Sequence, residues 1–339
     1  MGDRSLHSST VMIISRTPLR VSFAGGGTDL PSYYRAHGGG AVLSAAIDRY
    51  VYVLINQKFD DDIRLSYSRT AEYVQNVDDV KHPMAREAMK AVGVTKGIEI
   101  VTVSDIPAEG TGLGSSSSFA VGILNALHAY KGELRSPRDL AEEACRIEID
   151  VLGEPIGKQD QYAAAFGGLR YYEFHPDGNV SINPLPLSRE SMRNFASHFS
   201  LYYSGVTRSA SNILAIQNKR TEENTVTDPL NRMKELAGET KEAILRGDYA
   251  RVGHLLEEGW HLKKTLSEGI SNPVLDQIYD KARAAGALGG KVTGAGGGGF
   301  FLVAAPTEKS EDVAKALAGL RRIKLNVSHE GSRIIFIER

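Results

Sequence analysis

Residues 107–118, PAEGTGLGSSSS, place three alternating glycines (Gly110, Gly112 and Gly114) directly before four serines. The β-rich run IEIVTVS precedes this segment, and the helix-forming run SSSSFAVGILNALHAY begins with its serines, which predicts a strand, a glycine loop and a helix in succession. Unpaired N–H groups and the positive dipole end of the helix could hold a phosphate there without a lysine. The alternative is an ordinary connector whose serines cap the helix.

A second glycine cluster, KVTGAGGGGF at residues 291–300, contains a G-x-G-x-x-G pattern at Gly294, Gly296 and Gly299. A dinucleotide-binding fingerprint must follow a strand and open a helix, whereas this segment runs into the strand-like sequence FFLV. The context therefore excludes a Rossmann motif, and no G-x-x-x-x-G-K-[ST] sequence occurs in the chain. The alternative interpretation of this segment is a flexible glycine hairpin.

A third cluster ends the segment PLRVSFAGGGTD at residues 18–29. The predicted strand carries Arg20 and finishes in three glycines followed by Thr28 and Asp29, which would place a cation and a carboxylate at one strand end. A carboxylate that accepts two hydrogen bonds suits the hydroxyl groups of a sugar. The alternatives are a surface ion pair for Arg20 and a turn role for Asp29.

Two carboxylates flank a Gly/Pro bend between two predicted helices. A helix over residues 136–152, with Ser136 as its N-cap, carries Glu148 near its end, and Asp160 opens a short apolar helix. Near a phosphate loop, such a pair suits a magnesium ligand and a proton acceptor. The alternative is that Asp160 only caps its helix and Glu148 faces water.

Composition limits the class of partner. The 339 residues include 40 Lys plus Arg and 41 Asp plus Glu, for a formal net charge of −1, which removes the long-range field typical of nucleic-acid binders. A single cysteine excludes an internal disulfide, and no run approaches the roughly 20 apolar residues of a membrane-spanning helix. We therefore expect a reduced, cytoplasmic protein with a small-molecule partner, no nucleic acid and no membrane association.

The order of the predicted elements indicates an α+β protein, since strands and helices occur in runs and not in strict alternation. We expect a polar tail at 1–10, an N-terminal domain at 11–185 that ends in a β-hairpin around HPDG, and a C-terminal domain at 186–339. A Pro- and Ser-containing connector at about 184–193 would separate the two domains.

Taken together, these segments resemble the GHMP kinases, the family of galactokinase, homoserine kinase, mevalonate kinase and phosphomevalonate kinase. Its three motifs appear in order as PLRVSFAGGGTD, PAEGTGLGSSSS and KVTGAGGGGF, and the match covers about residues 13–305. The resemblance implies a two-domain fold, with an N-terminal domain like ribosomal protein S5 domain 2 and a C-terminal α+β domain. ATP would bind between them, together with Mg²⁺.

The resemblance also implies which residues form each site. The nucleotide phosphates would bind to the second motif: Gly110, Gly112, Leu113, Gly114, Ser115, Ser116 and Ser117. The sugar would bind to the first and third motifs and the aspartate: Gly26, Gly27, Thr28, Asp29, Asp160, Thr293, Gly294, Ala295 and Gly296. Ser116 and Glu148 would hold Mg²⁺. Asp160 matches the catalytic aspartate, and Arg20 matches the basic residue beside it.

Within the family, GGGTD, GKQDQYAAAFGG and YSGVTRSA look most like the sugar kinases that act on D-glycero-D-manno-heptose 7-phosphate. The implied product is heptose 1,7-bisphosphate, for nucleotide-activated heptose in capsule or lipopolysaccharide synthesis. Galactokinases have Glu-His where Gly26 and Gly27 stand, which argues against galactose. Arg208 and Lys158 are the candidates for binding the 7-phosphate, and the alternative for each is a solvated surface charge. The partners would be a sugar phosphate and ATP, and a homo-oligomer is a base-rate expectation.

Three alternatives remain at this stage. The chain could be an L-fucokinase or another small-molecule kinase of the same family, such as an isoprenoid-pathway kinase. It could also be a nucleotide-binding sugar sensor that no longer catalyses phosphoryl transfer. The sensor is disfavoured because Arg20, Glu148 and Asp160 are all present.

Overall fold

The computed structural model describes residues 11–107, 110–206 and 210–338. Its strands are β1 (Met12–Ala24), β2 (Gly40–Gln57), β3 (Ile63–Tyr67), β4 (Thr70–Val74), β5 (Ile98–Ser104), β6 (Leu169–Phe174), β7 (Val180–Pro184), β8 (Phe199–Tyr203), β9 (Gly289–Val292), β10 (Phe300–Ala304), β11 (Arg321–Lys324) and β12 (Arg333–Glu338). The mixture of strands and helices confirms the predicted α+β class.

The helices contribute packing layers and several of the site residues. They are α1 (Pro31–Tyr34), α2 (Pro83–Val92), α3 (Ser115–Tyr130), α4 (Pro137–Cys145), α5 (Gln159–Phe166), α6 (Arg189–Ser197), α7 (Ala210–Glu222), α8 (Thr227–Leu245), α9 (Tyr249–Leu266), α10 (Pro273–Ala284) and α11 (Ser310–Ala316). A π-helical turn, Arg146–Val151, continues α4, and short 3₁₀ turns lie at Val77–Asp79 and Thr307–Lys309. In the described part of the chain, no helix has the length and apolar content needed to cross a bilayer.

The larger sheet has eight strands in the order β12-β1-β2-β5-β3-β4, and β6 pairs with β2 and with β7. The long strand β2 pairs with β1 along one edge, and along its other edge its first part pairs with β6 and its last part with β5. Helix α3 packs on β1 and β2. Close contact is possible because Gly122 faces Thr17, and the Ser118 hydroxyl donates to the Pro18 carbonyl at 2.8 Å.

The smaller sheet has four strands in the order β11-β8-β10-β9. Its core includes Trp260, Tyr279 and Phe301, all buried. The two sheets share a second core, in which the Phe23 ring of β1 lies 5.2 Å from the Phe195 ring and 5.1 Å from the Phe199 ring. Strand β12 returns to the larger sheet and pairs antiparallel with β1.

The predicted boundary at residues 185/186 falls between β7 and α6, and it stays a prediction. The expected hairpin around HPDG is confirmed as β6 and β7. The prediction of a connector over 184–193 is wrong in its second half, because α6 begins at Arg189 with Ser188 as its N-cap and buries Met192 and Phe195. The prolines that precede α6 are typical of a connector, so this short amphipathic helix was not predicted.

Candidate active site

Arg20 and Asp160 form a two-pronged ion pair in the interior. The Arg20 Nε donates to Asp160 Oδ1 at 2.7 Å and the Nη2 donates to Asp160 Oδ2 at 2.6 Å. The third guanidinium nitrogen donates to the Gly112 carbonyl at 2.6 Å. The fork matches a carboxylate and fixes both its position and its plane. The surface ion pair considered for Arg20 is therefore not what the structure shows, since Arg20 is buried.

Local irregularities of the backbone bring this pair together. The β1–β2 ladder shifts register between Pro18 and Leu19 and again after Ser22, so Arg20 lies between two irregularities. Bulges of this kind redirect side chains and occur next to active sites. Asp160 stands in the first turn of α5, where the positive end of the helix favours a carboxylate.

The glycine loop contacts the same pair directly. Gly114 is the N-cap of α3 at φ +75°, and a Cβ there would lie 3.1 Å from Arg20 Cγ and 3.3 Å from Asp160 Oδ2. No side chain caps this helix end. The serines therefore do not act as caps, and their hydroxyls have other partners: Ser116 Oγ donates to Glu148 Oε1 at 3.1 Å.

The third motif supports the loop from the other side. Gly112 has φ +72°, and a Cβ there would lie 2.5 Å from the Thr293 carbonyl oxygen. The Thr293 hydroxyl donates to the carbonyl oxygens of Thr111 at 3.2 Å and Phe300 at 3.1 Å. The backbone of the third motif thus packs against the glycine loop and fixes its shape.

Glu148 lies in the π-helical turn and is 2% exposed. Its other oxygen, Oε2, accepts a hydrogen bond from the Gln161 Nε2 at 2.6 Å. Burial raises the pKa of Glu148 to about 7, because a desolvated carboxylate without a cation favours its protonated form. A carboxylate and a hydroxyl beside a phosphate loop fit Mg²⁺, which takes one or two carboxylates together with substrate phosphates and water.

Asp29 is buried and held by the backbone around it. Its carboxylate accepts from the N–H of Gly27 at 3.0 Å, from the N–H of Gln159 at 3.2 Å and from the Gln159 Nε2 at 3.1 Å. Burial, with the nearby charge of Asp160, raises the pKa of Asp29. The Thr28 hydroxyl donates inward to the carbonyls of Gly25 and Ala41, so Thr28 shapes the loop.

Two adjoining cavities meet at Arg20 and Asp160. The first, the loop cavity, is lined by Glu148 and by the glycine loop from Gly110 to Ser117, with the exception of Leu113. The second, the inner cavity, is lined by residues from the first motif, α5, α9 and the third motif: Gly26, Gly27, Asp29, Gln159, Lys263, Lys291, Gly294 and Ala295, among others. A group held in the loop cavity and a group held in the inner cavity would both reach Asp160.

Most of the predicted site residues lie around these two cavities, and a few do not. Leu113 is buried in the core and offers its carbonyl to the Arg20 N–H at 2.9 Å. Thr28, Thr293 and Gly296 do not line either cavity. Arg208 lies outside the described residues. Lys158 donates to the Gly178 carbonyl at 2.9 Å, away from the inner cavity.

Two buried lysines of the inner cavity were not predicted from the sequence. Lys263 of α9 and Lys291 of β9 are each 6% exposed. Lys263 donates to the carbonyls of Val292, at 3.3 Å, and of Gly294. Burial lowers the pKa of both lysines, to about 8 for Lys291, and the Arg20 charge adds to the effect. Lys291 begins the third motif, which is a signal that could have drawn attention to it.

Comparison with known proteins places this geometry in a family. The model of the GHMP kinases N terminal domain matches residues 79–168, and that of the GHMP kinases C terminal domain matches residues 240–322, together about half of the chain. A D-glycero-alpha-D-manno-heptose 7-phosphate kinase of Campylobacter jejuni is 31% identical over 90% of this chain and 93% of its own length. A mevalonate kinase of Thermococcus sibiricus is 33% identical over 79% of this chain and 77% of its own.

A solved structure gives the same result for the fold. The D-glycero-D-manno-heptose 1-phosphate kinase of Bacteroides thetaiotaomicron superposes with a TM-score of 0.80 at 28% identity, covering 96% of this chain and all of the other. The family models, the similar proteins and the fold all indicate the family whose three motifs surround the two cavities. The chain therefore belongs to the GHMP kinase family of ATP-dependent phosphotransferases.

Proposed function

We propose that this sugar kinase transfers the γ-phosphoryl group of ATP to the anomeric hydroxyl of D-glycero-D-manno-heptose 7-phosphate and releases heptose 1,7-bisphosphate. The observation that carries the proposal is the position of Asp160 at the junction of the two cavities. The loop cavity would take the nucleotide phosphates and the inner cavity the sugar, so that the acceptor hydroxyl faces the γ-phosphate across this carboxylate. The Campylobacter jejuni relative supports the choice of sugar.

In the proposed mechanism the protein mainly positions the reactants and neutralises charge, as phosphoryl transfer requires. The loop N–H groups and the N-terminus of α3 would bind phosphate oxygens. Asp160 would accept the proton of the acceptor hydroxyl. The hydroxyl oxygen attacks the γ-phosphorus as the bond from that phosphorus to the leaving ADP oxygen breaks. Arg20 would hold that carboxylate in place and stabilise developing negative charge.

Ser116 and Glu148 would hold Mg²⁺, which neutralises phosphate charge when it is bound. Gln161 would orient the Glu148 carboxylate through its 2.6 Å hydrogen bond. Asp29, already fixed by three N–H donors, would use its remaining lone pairs for sugar hydroxyls. Gly26 would leave space beside the sugar, whereas Gln217 and Leu230 already fill the space that a side chain at Gly27 would occupy.

The test is ADP release with Mg-ATP across six acceptors: D-glycero-D-manno-heptose 7-phosphate, mannose 6-phosphate, L-fucose, galactose, homoserine and mevalonate. Asp160→Asn serves as the blank, and we expect it to lower kcat by ~10²-fold or more, the usual effect of losing a general base. Phosphorus NMR of the product would identify the anomeric position.

We expect turnover of the heptose phosphate far above that of the other five. Turnover of fucose alone would keep the mechanism and replace the substrate. ATP binding without turnover of any acceptor would favour the sensor. Near-normal turnover by Asp160→Asn would remove Asp160 from the role of base.

A further inference from the structure

The inner cavity contains more positive charge than its carboxylates balance. Three cations line it, Arg20, Lys263 and Lys291, against two carboxylates, Asp29 and Asp160. Arg20 is paired with Asp160. Among the described residues, neither lysine forms an ion pair, and Asp29 is occupied by N–H donors of the loop. Two amines are therefore buried without a counter-ion, which lowers their pKa values and makes the charged form of each costly unless a ligand supplies the counter-ion.

The placement of the two lysines separates them from the nucleotide phosphates. Both line the inner cavity, and neither lines the loop cavity, where the glycine loop lies. They come from α9 and from β9, on different elements of the C-terminal half, and Lys263 is fixed by the Val292 carbonyl at 3.3 Å. The Lys263 ammonium has three donors, so at least one remains for a ligand.

We propose that Lys263 and Lys291 form a subsite of the inner cavity that binds a phosphate carried by the sugar acceptor itself. The inference rests on the proposed function for the identity of that acceptor. A phosphomonoester brings −1.5 to −2 charges and three acceptor oxygens at neutral pH. It would therefore supply the missing counter-ion to both ammonium groups. The lysines then select acceptors that carry a phosphate and exclude neutral sugars.

The binding equilibrium should also depend on pH. Burial lowers the pKa of Lys291 to about 8, so this side chain loses its charge as the pH rises through that value. The other charged groups that face the same cavity are Arg20, Lys263, Asp29 and Asp160. A phosphate has its second pKa near 6. Because burial lowers the pKa of Lys263 as well, we expect binding of the phosphorylated sugar to weaken as the pH rises, at the latest through the pKa of Lys291 near 8.

The decisive experiment measures binding and turnover separately for D-glycero-D-manno-heptose 7-phosphate and for the same heptose without phosphate. Lys291→Met and Lys263→Met keep the apolar stem and remove the charge. Lys264→Met is the matched control, because Lys264 is adjacent on α9 and reaches outward toward Asp276 at 3.9 Å. Calorimetric titration without nucleotide gives Kd, and steady-state assays give kcat and KM.

We expect each cavity variant to raise Kd and KM for the phosphorylated sugar by about 10- to 100-fold, the scale of a lost charged hydrogen bond. The Kd and KM of the unphosphorylated sugar in the cavity variants should stay within about twofold of wild type. The same holds for the phosphorylated sugar in Lys264→Met, as is usual for a surface change. Lys291→Arg should restore part of the affinity. The wild-type pH profile tests the same subsite even if Lys263→Met does not fold.

Several outcomes would overturn the inference. These are equal loss for both sugars, a fall in kcat with unchanged KM, or no wild-type preference for the phosphorylated sugar. Failure of the proposed function has a different signature, since lysine-dependent binding of the phosphorylated sugar would persist without ADP release. Conversely, ADP release with unchanged KM in both lysine variants would keep the function and remove the subsite.

Discussion

Arg20 donates hydrogen bonds from all three guanidinium nitrogen atoms, two to Asp160 and one to the Gly112 carbonyl. A lysine keeps the charge but has no fork, so it cannot hold both carboxylate oxygens and the loop at once. We expect Arg20→Lys to lower kcat by about 10- to 100-fold, the cost of losing charge-assisted hydrogen bonds in the transition state. Steady-state kinetics check this.

The control is Arg16→Lys on the same strand, because Arg16 pairs at 3.4 Å with an exposed Glu330. It should leave kcat unchanged. If Arg20→Lys also turns over normally, the positive charge alone suffices and the fork has no catalytic role.

If Glu148 ligates Mg²⁺ as proposed, the binding of Mg²⁺ should depend on pH. Its pKa is raised to about 7 by burial, so the carboxylate is mostly protonated below that value, whereas a metal ligand must be deprotonated. We expect the affinity for Mg²⁺ with a non-hydrolysable ATP analogue to fall about tenfold per unit below pH 7 and to level off above it. Titration calorimetry in buffers of different ionisation enthalpy should also detect the released proton.

Glu148→Gln provides the comparison, since the amide keeps the shape and cannot titrate. The nucleotide phosphates contribute their own pH dependence to both proteins, so the difference between the two slopes reports Glu148. Identical slopes would show that Glu148 does not ligate the metal.

At the scale of residues, sequence and structure agree best where a motif carries the chemistry. Arg20 and Asp160 were predicted to lie side by side, and the structure brings them together although 140 positions separate them. Lys263 was not predicted, because a lysine on a long charged helix is usually solvated, and only the packing of α9 against β9 buries it. Tertiary contact decides its environment, and local sequence does not contain that information.

Among the elements, the conformation of the glycine loop depends on its contact with the third motif. Gly112→Ala would need both a left-handed backbone at φ +72° and a Cβ 2.5 Å from the Thr293 carbonyl oxygen. We expect this change to lower the free energy of unfolding by ~2 kcal/mol or more and to weaken ATP binding, since strain and a backbone clash add. Urea unfolding and nucleotide titration measure the two effects.

Gly132→Ala is the matched control, with φ +77° and no atom within 4 Å of the added Cβ. It carries only the backbone cost, about 1 kcal/mol or slightly more. Equal losses in both variants, with ATP binding intact, would mean that the loop yields easily to the added methyl group.

Elements with strong local signals could be predicted, and those without them could not. Helix α4 has a capping box between Ser136 and Asp139 and a proline in its first turn, all readable from sequence. The first part of β2 was missed because residues 40–47 are buried on both faces and therefore show no alternation. Strands β9 and β11 were missed as well, since GGKV and RRIK have low strand propensity.

At the scale of the whole molecule, the shared core predicts one cooperative unfolding transition. Phe23 of the larger sheet packs against Phe195 and Phe199, while the single tryptophan, Trp260, reports on the smaller sheet. We expect Phe23→Ala to lower the unfolding free energy seen by tryptophan fluorescence by ~3–5 kcal/mol, as for other buried aromatic truncations. Far-UV circular dichroism should give the same midpoint.

Phe59→Ala should leave that midpoint unchanged, because Phe59 is fully exposed. Separate fluorescence and dichroism midpoints in Phe23→Ala, with the tryptophan signal unaffected, would instead show two independently folding halves.

The pairing of β12 with β1 sets Met12 directly opposite Glu338. The two ends of the described chain are therefore neighbours, so a short peptide could join them and new termini could be opened at an exposed turn such as the one that contains Gly132. The fold therefore does not require the three motifs to occur in one particular order along the polypeptide. Their arrangement in space is what the chemistry requires.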